Sequence, residues 1–129
     1  MATWKQIKDY IRENYQLQED EGDFFQMTFE LEGDRSQIIF VQKTKSEAGD
    51  IWIQISSPIG IIEDDEINDA LEMMENELCG GMVKIGERHF VRHNMLIDDL
   101  SPEQFESIMQ IVMNAADKME EKFIGGDDN

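Results

Sequence analysis

The spacing of apolar residues changes several times along the chain, and each change marks a boundary between elements. Trp4, Ile7, Ile11 and Tyr15 recur at helical intervals behind Thr3, which forms a capping box with Gln6 three residues on. This predicts a first helix ending near Tyr15. The acidic run Glu19-Asp20-Glu21-Gly22-Asp23 then reads as a solvated turn. From Phe24 to Leu31 the period falls to two, with Phe25, Met27, Phe29 and Leu31 alternating with Gln26, Thr28 and Glu30, as in a strand with one buried face. A short Glu32-Gly33-Asp34 turn leads into a second strand over residues 35–43, so the pair is expected to form an antiparallel hairpin.

After a polar loop over residues 44–50, Ile51, Ile53 and Ile55 mark a third strand with Trp52, Gln54 and Ser56 on its other side. Ser57-Pro58 is expected to end it, because proline cannot donate to a strand ladder. Glu63-Asp64-Asp65-Glu66 suits the positive end of a helix, and Ile67, Leu71, Met74 and Leu78 then form the stripe of a second helix ending at Gly80-Gly81. Residues 82–85 and 89–96 read as a second hairpin around Gly86-Glu87. Ser101-Pro102-Glu103-Gln104 supplies an N-cap, a first-turn proline and a capping-box glutamine. The helix that follows carries Phe105, Ile108, Val112, Ala115, Met119 and Phe123 on one stripe and runs for about 33 Å.

The order is helix, three strands, helix, two strands, helix. The expected fold is α+β, a two-layer sandwich in which helices pack an antiparallel sheet. One domain over residues 1–124 is expected, with residues 125–129 as a disordered tail.

Charge narrows the set of partners. The 129 residues include 29 Asp+Glu against 11 Lys+Arg, a net charge of −18. Such a chain repels phosphate backbones and anionic lipid, and neither Lys43 with Lys45 nor Arg88 with Arg92 makes a basic patch, so nucleic acid and membrane are not expected partners. Apolar periodicity throughout argues against disorder despite the charge. The single cysteine, Cys79, has no intramolecular disulfide partner and the N-terminal residues lack signal-peptide character, which points to the reducing cytoplasm. No apolar run approaches the ~20 residues of a membrane span.

Chemistry-bearing residues are sparse. His89 and His93 are four apart, but on a strand that spacing is about 13 Å, too wide for one shared ion. Cys79 beside two glycines reads as a small buried residue at a helix end. Carboxylate pairs are expected by chance in so acidic a chain, and Asp20-Glu21-Gly22-Asp23 lacks the ligand spacing of an EF-hand loop. Phosphate-cradling, dinucleotide-binding and nucleophile-elbow motifs are absent from the sequence. No catalytic residue, cofactor or metal site is assigned.

The more informative feature is apolar content on the second side of the sheet. The second strand reads Ile38-Ile39-Phe40-Val41, apolar on both sides, while Phe24 and Trp52 lie opposite the inward sets of their strands. If helices cover one face only, Phe24, Ile39, Val41 and Trp52 would form an exposed patch, the expected dimer or partner surface. The alternative is a helix on each face, or a patch hidden by strand twist. Nine methionines, several on the helices, suit core filling, although adaptable binding surfaces also favour them.

The element order, the acidic composition, Arg35-Ser36-Gln37 opening the second strand, Ser57-Pro58 after the third, residues 96–100 before the long last helix and Ala115-Ala116-Asp117 within it resemble the YbjN-like proteins, which share the fold of the type III secretion chaperones. The resemblance covers nearly the whole chain and implies a two-layer domain, often a homodimer, that acts through protein contacts. The function expected is a non-catalytic protein-binding module, chaperone-like or regulatory. The competing reading is a small metal-dependent sensor or enzyme that uses carboxylates with His89 or His93.

Overall fold

The computed structural model describes residues 3–98 and 100–124, so the expected tail at 125–129 lies outside the described residues. The chain runs α1 (Trp4–Asn14), β1 (Leu17–Asp20), β2 (Phe24–Leu31), β3 (Arg35–Lys45), β4 (Ile51–Gly60), a short 3-10 turn, α2 (Ile67–Met74), β5 (Gly81–Ile85), β6 (Arg88–Leu96) and α3 (Pro102–Phe123). Both capping boxes form as the sequence predicts, Thr3 with Gln6 and Ser101 with Gln104, each satisfying N–H groups that a helix start leaves unpaired.

All six strands pair antiparallel in the order β1-β2-β3-β4-β6-β5. Between β2 and β3, Gly33 and Asp34 both adopt positive φ (75° and 59°), the left-handed backbone that a tight hairpin of this hand demands. The fold class is α+β as expected, with one strand more than the sequence suggests. Leu17–Asp20 pairs with β2 although Leu17 is its one apolar residue. A bulge between Leu17 and Glu19 interrupts its register, and Arg12 grips Asp20 through Nε (2.8 Å) and Nη2 (3.0 Å). Part of the expected acidic turn is therefore an edge strand held by α1.

The third predicted strand does not stop at Ser57-Pro58; β4 continues to Gly60. The β3–β4 register ends at Phe40↔Ser56, so Pro58 lies beyond that ladder and its missing N–H is not required there. Buried Gln37 fills the gap: its Nε2 donates to Ser57 Oγ at 2.9 Å and to the Pro58 carbonyl.

The helices share one side of the sheet. α3 lies over β3, β4 and β6, flanked by α1 and α2. Phe25, Met27, Ile39, Val41, Ile53, Ile55, Ile59 and Val91 from the strands close on Ile7, Ile11, Phe105, Met109, Val112 and Met119 from the helices. Arg35, at the start of β3, reaches α3 with Nε 2.8 Å from Asp117 Oδ1 and Nη2 3.1 Å from the fully buried Glu120 Oε1. Two of the short motifs singled out in the sequence are thus the two ends of one ion-paired brace.

α2 differs most from expectation. It ends at Met74 rather than at the Gly80-Gly81 pair, and Ala70 is its buried residue, while Leu71 and Leu78 of the expected stripe point to solvent, Leu78 at 89% exposed. A helix of eight residues beside the sheet edge buries a narrow face, and the small Ala70 admits the closest approach.

Candidate functional site

Because side chains alternate across each strand, the strand registers define the uncovered side of the sheet as a set of cross-strand rows. One row is Thr44, Trp52 and Leu96; the next is Phe24, Gln42, Gln54 and Asn94; the third is Gln26, Phe40, Ser56 and Arg92. Phe90 follows beside Pro58 and Val83. Among the described residues no helix packs on these positions, in keeping with a two-layer sandwich.

The structure divides the four surface residues named from sequence. Phe24 and Trp52 lie on the uncovered face, half-buried. Ile39 and Val41 do not: both are 0% exposed, within the core, opposite Met27 and Phe25 on the helix-covered side. Their places on the outer face are taken by Ile38 and Phe40, one residue out of phase. A four-residue apolar run has no polar partner to mark its phase, but the hairpin turn does. Counting back from the Leu31↔Arg35 pair sets Ile39 and Val41 opposite the inward residues of β2.

The centre of the outer face is a shallow groove of about 240 Å³ lined by Phe24, Phe40, Gln42, Gln54, Ser56, Phe90 and Arg92. The Phe24 and Phe40 rings stack with centroids 5.8 Å apart. Arg92 lies half-buried along the groove, its Nε donating to Ser56 Oγ at 3.0 Å. That bond occupies one edge of the guanidinium and leaves the Nη1–Nη2 edge for other acceptors. Sequence reading missed Arg92, Phe40 and Phe90; their outward parity, fixed only by pairing with β4, is the signal that finds them. A second hollow of about 440 Å³ lies at the end of the sheet, where Met95, Leu96 and Leu100 meet Glu103, Gln104, Ser107 and Ile108 of α3. It adjoins the outer face through Leu96, the register partner of Trp52.

Both histidines have structural work on the opposite side. His89 is buried, and its Nδ1 accepts the Ile62 backbone N–H at 3.2 Å. His93 Nδ1 accepts the Gly80 N–H at 3.0 Å, and burial holds its pKa below the ordinary imidazole value. Cys79 is half-buried in the loop beyond α2. Among the described residues, no three His, Cys, Asp or Glu side chains are grouped so as to hold a metal ion. No helix among them is long and apolar enough to cross a membrane.

This architecture, a twisted antiparallel sheet with three helices on one side, is that of the type III secretion chaperone-like α+β domains. A chain in the structure of the HopA1-SchA chaperone-effector complex superposes with a TM-score of 0.62 at 13% identity, covering 91% of this chain and 91% of that one. No family model matches the sequence. No curated protein matches it either.

Proposed function

We propose that this chain is a non-catalytic protein-binding module, chaperone-like or regulatory, whose dimer or partner surface is the uncovered sheet face. The observation that carries this reading is the concentration of Phe24, Ile38, Phe40, Trp52 and Phe90 on a face that none of the described helices packs. Half-buried aromatics on an open sheet leave apolar area in water that a partner would cover. The likeness in fold to a chain of a chaperone-effector complex supports the same role. Kinship with the YbjN-like proteins, homodimer formation and action in the cytoplasm belong to this proposal. The polar groups of the groove are two amides, a hydroxyl and a guanidinium, suited to holding a chain rather than to transferring protons. The metal-sensor reading draws no support from His89 or His93, whose Nδ1 atoms are committed to backbone N–H groups.

The test replaces Trp52→Glu and Phe40→Glu, separately. Size-exclusion chromatography with light scattering, together with affinity capture from native lysate, is expected to show a changed oligomeric state or lost capture, with the helical circular dichroism unchanged. Wild-type behaviour of both variants in both assays would remove the assignment of this face.

A further inference from the structure

The distribution of charge over the uncovered face specifies the partner more narrowly. The chain carries 29 acids, yet the outward positions of β2, β3, β4, β5 and β6 hold one of them, Glu30, at the far end of β2, and the edge strand β1 adds Glu19 beside Gln26, separated from Arg92 by three strands. The cations on those positions are Arg88 and Arg92, and Arg92 lines the groove. Among the described residues no carboxylate lies within ion-pair reach of Arg92, in a protein where Arg12 and Arg35 both have carboxylate partners. A half-buried guanidinium fixed at Nε by the buried Ser56 hydroxyl and flanked by Phe40 and Phe90 is partly desolvated, which strengthens a charge-assisted hydrogen bond to an incoming anion.

We propose that this groove recognises a polypeptide segment in which an Asp or Glu stands beside an aromatic or large aliphatic residue. The carboxylate takes the Nη1–Nη2 edge of Arg92 and the apolar side chain lies against Phe24, Phe40 and Phe90. The inference rests on the partner-surface reading above. Three features select this occupant. The groove, at about 240 Å³, is below the usual 300–1,000 Å³ of small-molecule pockets and suits one or two side chains. Gln42, Gln54 and Ser56 supply amide and hydroxyl groups that match a peptide backbone. The −18 field admits a single carboxylate in neutral or basic surroundings but opposes a polyphosphate strand, although aromatic rings on an open sheet would otherwise suit stacked bases.

The experiment selects a random displayed-peptide library on the intact protein and on Arg92→Gln, whose unchanged circular dichroism confirms folding. The wild-type pool is expected to be enriched in Asp or Glu next to Phe, Leu, Ile or Trp, and the R92Q pool to keep the apolar preference and lose the acidic one. By NMR titration, the peptide acetyl-Leu-Phe-Asp-Leu-amide should bind wild type about tenfold more tightly than its Asn counterpart, and R92Q should remove that difference. Arg92→Lys, which keeps the charge and loses the fork, should retain part of it. A wild-type pool with apolar but no acidic enrichment overturns the carboxylate inference and leaves the partner surface standing. Selection of no pool also overturns the inference, while the surface reading stands or falls on the oligomeric state and capture of the Trp52→Glu and Phe40→Glu variants. Tighter binding of a uridine oligonucleotide than of the acidic peptide, abolished by R92Q, would also overturn the inference and assign the face to nucleic acid.

Discussion

The backbone N–H of Gly80 donates to Nδ1 of His93 at 3.0 Å, fastening the end of the α2 segment to the inner side of β6. At the start of the same segment, Ile62 N–H donates to Nδ1 of His89 at 3.2 Å. An imidazole accepts at Nδ1 only while that nitrogen is unprotonated, so protonation replaces an attraction with two opposed N–H groups. Burial lowers the His93 pKa below 6.5, so the unfolded chain takes up the proton first. The His93 contribution is complete above about pH 6.5 and is lost as pH falls through the lower folded-state value. Because acid also relieves carboxylate repulsion in a −18 chain, the measurement is a comparison with His93→Gln, which cannot titrate. Urea unfolding at about pH 8 and about pH 5.5 should show wild type losing stability relative to H93Q in acid. An unchanged difference would place the His93 contact outside the stability of the fold.

Gly80 itself cannot be replaced cheaply. Its φ is +92°, and an added Cβ would sit 3.0 Å from Val91 Cγ1 and 3.3 Å from the Arg92 carbonyl oxygen. Gly80→Ala should cost more than about 1 kcal/mol by denaturant titration, with increased hydrogen exchange confined to the α2 segment and β5.

The Arg35 brace predicts a non-additive result. Arg35→Met leaves Glu120 buried without its guanidinium and should destabilise by about 3 kcal/mol or more. Adding Glu120→Leu removes the carboxylate that has lost its guanidinium and should restore part of that loss, a coupling measurable by a double-mutant cycle in urea.

Neighbouring residues on β3 should respond in opposite ways. Ile39→Glu places a charge at a fully buried position and should unfold the domain or render it insoluble. Phe40→Glu should keep native circular dichroism and a cooperative melt, because its side chain lines the outer groove. If F40E unfolds as I39E does, the uncovered face is part of the folding core rather than an interface.

A similar contrast checks the helices. Phe105→Ala, at the centre of the core, should cost about 3–5 kcal/mol, whereas Leu78→Ala should fall within about 0.5 kcal/mol. Equal effects would mean that Leu78 packs against the domain after all.

Legibility of the chain tracked how each element earns its stability. α1 and α3 announce themselves through capping boxes and long apolar stripes, and β2 through strict alternation, because local rules and burial agree there. β1 was hidden, since its stability comes from pairing with β2 and from Arg12 on Asp20 rather than from its own apolar residues. Pro58 misled because a proline penalty depends on which neighbour needs the N–H, and β3 has already left the ladder at that point. The outward placement of Phe24 and Trp52 was readable from alternation, while Ile39 and Val41 were misplaced by one residue in a run with no internal phase.

The sequence by itself determined the antiparallel α+β class, the two capped helices, the hairpins and a strongly acidic composition, because periodicity, caps and charge act within a few residues of one another. Only the tertiary structure decided which side of β3 faces the core, that helices cover one side of the sheet, and that Arg92 stands within a ring of aromatics where acid is almost absent. Those facts depend on strand register and on the partners each strand finds, which are long-range choices that no local pattern contains.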